Sequence, residues 1–377
     1  MRDRNGNLKG TDFLHFYTLG LLAIEHRGDA LYDMNAQSAV VAQRVSEAAG
    51  IRYLPLYPPQ VSLLFAPLAH LSYGKALALW WICSALIYAA CCYGIWGVCP
   101  NLRCRGRMVC LLAVAYPAFF HLIAWGQTSA LALACFAGFF LLVRRGHEAL
   151  AGVILGCLVF KPQLGLAAGV VLVFVGAWRI LAGALPAAVA QLSAGVFYYG
   201  WDPFRLWIRE LWNIRHSANL LEPRPYQTHC LRTFWSMLIP WGTLPIILYA
   251  ISAAVVLAFA MRVWKRSRDW APRFSLLLVA TVLVAPHLTV YDLVILAPAF
   301  LLLADWLLSQ QETQTSGILG VLLYLVYTLP LLGFLSQWTH VQLSVLAMSF
   351  LVYQIWKAVR CEDRLHDSST TAKAGVA

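Results

Sequence analysis

The chain has 377 residues, of which 60% are hydrophobic and only 12% are charged. Soluble domains carry about a quarter of charged residues, so the composition excludes an ordinary soluble domain and predicts an all-α polytopic membrane protein. The formal net charge of +11 does not indicate a nucleic-acid partner, because the basic residues stand in short clusters between apolar runs, as orientation signals do.

Two short amphipathic helices are predicted ahead of the apolar body. Segments 11–26 and 34–49 carry apolar residues at helical spacing, and neither is long or apolar enough to span a bilayer. A turn joins them, in which Asp29 and Asp33 have the pattern of turn and cap residues. We therefore expect residues 1–59 to form an extracytoplasmic loop at the membrane surface.

A transmembrane domain is predicted over residues 60–360, followed by a disordered cytoplasmic tail over 361–377. Its first apolar segment, 60–71, is too short to cross and contains Pro67, which favours a tilted or re-entrant helix. After it we expect about eleven transmembrane or re-entrant helices. Their approximate positions are 73–97, 108–123, 128–143, 148–160, 162–178, 180–200, 241–262, 273–286, 289–307, 317–334 and 339–357.

The basic clusters predict how these helices are oriented. They follow the odd-numbered spans, for example at 103–107 and 262–268, and the positive-inside rule places such ends in the cytoplasm. Nearly all polar groups at the other span ends then face the extracytoplasmic side, as does the long loop 201–240. Within this loop, residues 203–216 predict an amphipathic interfacial helix, which is either a lid over a cavity or a membrane-surface anchor.

Asp12 is the leading candidate for a catalytic residue. It stands beside Phe13, Phe16 and Tyr17, where partial desolvation would raise the basicity of its carboxylate. One interpretation is a general base, and the other is an N-cap of the first helix. The sequence has no Asp-x-Asp motif and no cluster with zinc spacing, so neither a metal nor a cofactor is predicted.

Lys161 is the most unusual charge in the chain, because it lies between two apolar runs and directly before Pro162. A cation in such a place usually faces a cavity, where a phosphate would be its natural partner, or snorkels to the interface. His287 and Asp292 flank a turn between two spans. His287 could bind phosphate or donate a proton, and Asp292 could orient His287, pair with Lys161, or only hold helices together.

Gln127 follows Trp125 and Gly126 at the start of a predicted span. An aromatic ring, a flexible backbone and an amide suit the binding of sugar hydroxyls, and helix capping is the alternative explanation.

A series of short motifs runs through the chain: Asp12-Phe13, Phe16-Tyr17, Gly20, Gly28, Leu31-Tyr32-Asp33, Tyr57-Pro58-Pro59, Ala66-Pro67-Leu68, Gly126-Gln127, Lys161-Pro162-Gln163, Pro286-His287 and Tyr291-Asp292. In combination they resemble glycosyltransferase family 87, whose members include polyprenol-phosphate-mannose-dependent α-mannosyltransferases. The resemblance implies the glycosyltransferase C-type fold. It also implies a multi-pass cell-membrane hexosyltransferase that moves a sugar, mannose first, from a polyprenyl-phosphate donor to an extracytoplasmic glycolipid or glycan.

The resemblance also implies roles for residues. Asp12 matches the family's general base, which deprotonates the acceptor hydroxyl. The residues expected to bind substrate are Tyr17, Tyr57, Gln127, Lys161, Gln163, His287 and Asp292. Family members normally have a transmembrane helix before the Asp-Phe motif, and ten polar residues stand there in this sequence, so we expect that helix to be lacking. Two other functions stay open: a non-catalytic transporter of lipid-linked sugars, and an inactive homologue that binds lipid.

Overall fold

The structure, a computed structural model, describes residues 8–214, 222, 224–310 and 314–374, with side chains described except at 314, 315 and 362–374. This part of the chain is all-α and contains no β-strand, although an isolated bridge joins Thr228 to Thr289. The α-helices are α1 (Thr11–Ile24), α2 (Met34–Arg44), α3 (Gln60–Ala69), α4 (Tyr73–Trp96), α5 (Gly106–Ala115), α6 (Pro117–Trp125), α7 (Ser129–Arg144), α8 (Glu148–Gly156), α9 (Pro162–Val175), α10 (Trp178–Tyr199), α11 (Trp201–Asn213), α12 (Leu231–Leu238), α13 (Leu244–Arg266), α14 (Trp270–Val284), α15 (Ala297–Ser309), α16 (Gln314–Thr328), α17 (Ser336–Thr339) and α18 (Leu343–Ala374).

Short 3₁₀ segments connect many of these helices. They lie at Asp29–Tyr32, Ser46–Ala48, Pro100–Arg105, Cys157–Phe160, Pro225–Gln227, Val290–Leu296 and Leu329–Leu335.

Five helical segments of the described chain are long and apolar enough to cross a bilayer: Tyr73–Trp96, Trp178–Tyr199, Leu244–Arg266, Val290–Ser309 and Ser316–Thr339. Helices α5 and α6, with the 3₁₀ segment before α5, make a sixth span if the two parts, bent by 46°, are counted as one. The predicted spans 128–143, 148–160, 162–178 and 273–286 correspond to shorter apolar helices, whereas 339–357 falls mainly in α18, which has 32 residues.

Prolines explain where three of the apolar helices begin or end. A proline cannot donate to the helix ladder and disfavours helical backbone in the residue before it. Tyr116, before Pro117, has ψ 121°, and Lys161, before Pro162, has φ −132°. Ala285, before Pro286, has ψ 132°. Each break interrupts an apolar run and places polar groups at a helix end inside the bundle.

Helix α1 lies inside the bundle, so its expected position as an amphipathic helix at the membrane surface is wrong. Residues 13–23 are all buried, and α1 packs mainly against α3, with further contacts to α2 and α4. A helix that is apolar on every side is buried rather than interfacial. Gly20 allows the close approach, because a Cβ at that position would lie 2.5 Å from the backbone oxygen of Phe65.

The second predicted surface helix buries only one face. In helix α2 the side chains of Gln37, Val40 and Val41 are buried, and the other residues are at least partly exposed. The side chain of Asp33 accepts hydrogen bonds from the backbone of Asn35 at 2.8 Å and Ala36 at 3.2 Å, which confirms it as the N-cap.

The C-terminal segment differs from its prediction, and the helix predicted in the long loop is present. Helix α18 continues to Ala374, where a disordered tail was expected from 361; residues 343–374 contain neither proline nor glycine, so nothing in the sequence breaks the helix. The predicted helix in the long loop is α11, and the end of the predicted range, 215–216, lies outside the described residues. Its Trp207 Nε1 donates to the backbone oxygen of Leu56 at 2.9 Å, while Trp212 is exposed.

Candidate active site

Asp12 lies in the first turn of α1, within the bundle. The helix begins after Gly10, which has the left-handed φ of 66°, so Gly10 is the N-cap position and the cap interpretation of Asp12 is wrong. Asp12 is partly exposed, and its Oδ2 accepts a hydrogen bond of 2.6 Å from Nε2 of Gln127. A carboxylate in the first turn also benefits from the positive end of the helix dipole.

The surroundings of Asp12 make it a stronger base than an ordinary aspartate. Helix α1 is not one of the helices long enough to span a bilayer. Burial raises the pKa of Asp12 to about 6, against the opposing effects of the Gln127 hydrogen bond and the Lys161 charge. The group is therefore ionised at neutral pH and still able to accept a proton.

Gln127 connects Asp12 to the interior. It follows Gly126, which ends α6 with φ 70° and whose carbonyl accepts a hydrogen bond of 2.9 Å from Nε1 of Trp80. A Cβ at Gly126 would stand 2.6 Å from Cβ of Phe13, so only glycine fits between the two segments. The amide oxygen of Gln127 faces Nζ of Lys161 at 3.5 Å.

Lys161 and Asp292 form a buried ion pair. The Nζ atom lies 2.7 Å from Oδ1 of Asp292, and each side chain is 3% exposed, so the snorkelling interpretation of Lys161 is wrong. Ser129 Oγ accepts from Nζ at 3.1 Å and donates to the same carboxylate oxygen. The three N–H donors of the ammonium group are thus committed to Asp292, Ser129 and Gln127.

The chain of contacts ends at the turn before Asp292. The Oδ2 atom of Asp292 accepts a hydrogen bond of 3.3 Å from the backbone of Thr289, completing a capping box. The ring of Tyr291 lies against the ammonium group, with Nζ of Lys161 5.3 Å from its centroid. Four polar groups from four separate segments, Asp12, Gln127, Lys161 and Asp292, therefore form one hydrogen-bonded series.

The remaining expected substrate-binding residues take different positions. Tyr57 packs its ring edge-on against Phe16 at 4.9 Å; burial raises the pKa of Tyr57, and the Lys161 charge partly opposes this. Tyr17 is buried and donates its hydroxyl to the backbone of Leu71 at 2.7 Å, a contact that joins α1 to the turn between α3 and α4. Gln163 lies partly buried in the first turn of α9, and no hydrogen bond joins it to the described members of the series.

His287 belongs to a second polar cluster. Its Nδ1 lies 2.9 Å from Oε1 of Glu222, and Nη2 of Arg232 donates to the same oxygen. The Thr233 hydroxyl is 3.1 Å from both oxygens of Glu222. Burial raises the pKa of Glu222, but the His287 hydrogen bond and the charge of Arg232 outweigh this effect and lower the pKa below its usual range. Asp292 therefore pairs with Lys161 and does not orient His287.

Sequence reasoning missed Ser129, Glu222 and Arg232 as members of these clusters. Ser129 has the sequence pattern of an ordinary helix start, and no neighbouring residue indicates that it hydrogen-bonds both Lys161 and Asp292. Glu222 did offer a signal, since it is the single acidic residue between 211 and 240 and has arginines on both sides. Among the described residues, no group of three or more His, Cys, Asp or Glu side chains could hold a metal ion.

One protein-family model matches more than half of the chain. The model of glycosyltransferase family 87 matches residues 56–286. The chain belongs to glycosyltransferase family 87. The matched region of this family 87 protein includes Tyr57, Gln127, Lys161 and Gln163, while Asp12 precedes it and Asp292 follows it. No curated protein and no solved structure matches the chain. Family membership and the apolar helical fold together identify a multi-pass membrane glycosyltransferase.

Proposed function

We propose that this family 87 protein transfers a sugar, mannose first, from a polyprenyl-phosphate donor to a hydroxyl of a glycolipid or glycan acceptor. Transfer takes place on the extracytoplasmic side of the cell membrane, with Asp12 as general base. The observation that carries this proposal is the partly exposed Asp12 carboxylate, held by Gln127 at 2.6 Å at the end of an otherwise buried polar series.

Asp12 has the properties that proton abstraction requires. Its pKa of about 6 lies close to neutral pH, where a general base combines full ionisation with useful basicity. Gln127 occupies Oδ2, and Oδ1 takes no hydrogen bond from the described residues. The acceptor hydroxyl donates to Oδ1, its oxygen attacks the anomeric carbon, and the bond from that carbon to the phosphate oxygen breaks. Asp12 takes the proton, and the polyprenyl phosphate leaves with the electron pair.

Lys161 orients the Asp12 carboxylate and does not bind the phosphate. All its donors are committed within the protein, and Asp292 balances its charge. A buried lysine in this state holds Gln127, and through Gln127 it fixes the orientation of the Asp12 carboxylate. Its positive charge also keeps the pKa of Asp12 from rising further.

The leaving phosphate is bound by His287 and Arg232. Both side chains keep accessible surface, since His287 is 21% and Arg232 is 28% exposed. Glu222 holds both, while Nε2 of His287 and Nη1 of Arg232 make no hydrogen bond with the described residues. Charge-assisted donors aimed at a phosphate stabilise the negative charge that develops on it as the glycosidic bond breaks.

Purified protein and a radiolabelled polyprenyl-phosphate sugar test the proposal, with a labelled nucleotide sugar as the parallel donor. Wild-type protein should transfer label from the lipid donor alone, and Asp12→Asn should lose about 10²–10⁴-fold in kcat, which is the contribution of a general base. Asp29→Asn is the matched control, because Asp29 is an exposed carboxylate of the same N-terminal region. Undiminished transfer by Asp12→Asn would exclude Asp12 as the base. Lipid flux across vesicles without transfer to any acceptor would favour the transporter.

A further inference from the structure

His15 lies one turn after Asp12 in α1, and no residue that the structure describes satisfies its imidazole. The side chain is 5% exposed, and both Nδ1 and Nε2 are buried without a hydrogen-bond partner. A buried polar atom left unpaired costs stability, and native structures retain few of them. An apolar side chain of the same size would serve the core better, so the histidine needs an explanation beyond packing.

The ring of His15 lies among aromatic side chains beside the candidate base. Its centroid is 5.0 Å from that of Tyr53 and 5.8 Å from that of Tyr57. Residues three apart on a helix lie on the same face, so His15 and Asp12 address the same side of α1. Burial lowers the pKa of His15 to about 4. The imidazole is therefore neutral at working pH and offers one N–H donor and one acceptor nitrogen.

A second polar group without a hydrogen-bond partner among the described residues lies near Tyr57. Thr128 is fully buried, between the two network members Gln127 and Ser129, and its hydroxyl has no hydrogen-bond partner. The phenol of Tyr57 lies near this hydroxyl without forming a hydrogen bond of acceptable geometry. Neutral donors and acceptors thus lie near the Tyr57 ring, and His15 shares a helix face with the carboxylate that we assign to catalysis.

We propose that His15 and Thr128 bind hydroxyl groups of a sugar ring, with Tyr53 and Tyr57 packing against its apolar face. This inference rests on the proposed function. A hydroxyl both donates and accepts, as a neutral imidazole and a threonine hydroxyl do. A phosphate does not suit the site, because Asp12 would repel it and neither neutral side chain balances its charge.

The site is closed in this structure. The gap beside His15, bounded by Leu19, Leu31, Tyr32 and Pro58, is too narrow for a water molecule. Hydration therefore does not satisfy the ring nitrogens, and a sugar reaches them only when the side chains that line this gap move apart.

Stability and transfer measured together distinguish this role from a structural one. His15→Phe removes both unpaired nitrogens but keeps a flat ring, and Thr128→Val removes only the hydroxyl. We expect each variant to unfold at the wild-type temperature or above it, and to lose about tenfold or more in kcat/KM, since each leaves a sugar hydroxyl unpaired. Gln354→Leu is the matched control: its side-chain oxygen is likewise buried and unpaired, in helix α18, and its loss should leave transfer unchanged.

The source of the hydroxyl follows from which Michaelis constant rises. An increase for the polyprenyl-phosphate sugar assigns the site to the donor, and an increase for the acceptor assigns it to the acceptor. A deoxy analogue lacking the bound hydroxyl should be used equally well by wild type and His15→Phe. Wild-type kcat/KM in both variants would overturn the inference and leave the proposed function intact. Absence of transfer by the wild-type protein would overturn both.

Discussion

Replacing Asp292 with asparagine should leave the Lys161 ammonium buried without its counter-ion. The two charged atoms are 2.7 Å apart, and both side chains are 3% exposed, so water cannot take the place of the carboxylate. Removing one member of a buried ion pair typically costs about 3–5 kcal/mol. We expect Asp292→Asn to lose about that much free energy of unfolding, and Lys161→Met to lose a similar amount because it strands the carboxylate.

The double variant Lys161→Met, Asp292→Leu supplies the decisive comparison. The double variant leaves no unpaired charge, so it should be more stable than either single variant. It still loses about 1 kcal/mol, because leucine cannot accept the hydrogen bond that Asp292 accepts from the backbone of Thr289. Unfolding in mixed detergent micelles, followed by tryptophan fluorescence, measures all three. Single substitutions that each cost under about 1 kcal/mol, or a double variant whose loss equals their sum, would refute the buried pair.

Transfer should fall about tenfold for each pH unit below about 6, because protonated Asp12 cannot accept a proton; kcat/KM that stays flat down to pH 5 would contradict this. Gly126→Ala should reduce both stability, by roughly 1–3 kcal/mol, and transfer, since φ is 70° and the added Cβ meets α1 at 2.6 Å. Gly169→Ala, with nothing within 4 Å, should be neutral or slightly stabilising in the same melts. Glu222→Gln should raise KM for the lipid donor several-fold by releasing His287, and an unchanged KM would remove Glu222 from phosphate binding.

The local pattern of the sequence could not reveal where α1 lies. A short apolar helix looks the same whether lipid or protein covers it, since both surroundings favour apolar side chains. Gly20 is the residue that indicates packing against protein, because a glycine within an apolar helix allows another backbone to come close. Its place in the motif series was visible, but its partner, the backbone of Phe65, became known only from the packing.

The sequence by itself determined the class of protein, the breaks in its helices and most of the polar groups inside them. Backbone in an apolar medium has to form helices, and proline ends them, so these features depend on local chemistry alone. The tertiary structure alone decided the pairing of those groups. Lys161 and Asp292 are 131 positions apart and Gln127 and Asp12 are 115 apart, and no periodicity links such distant residues. Packing brought Lys161 to Asp292 and Arg232 to Glu222, because each buried carboxylate needs a neighbour of opposite charge.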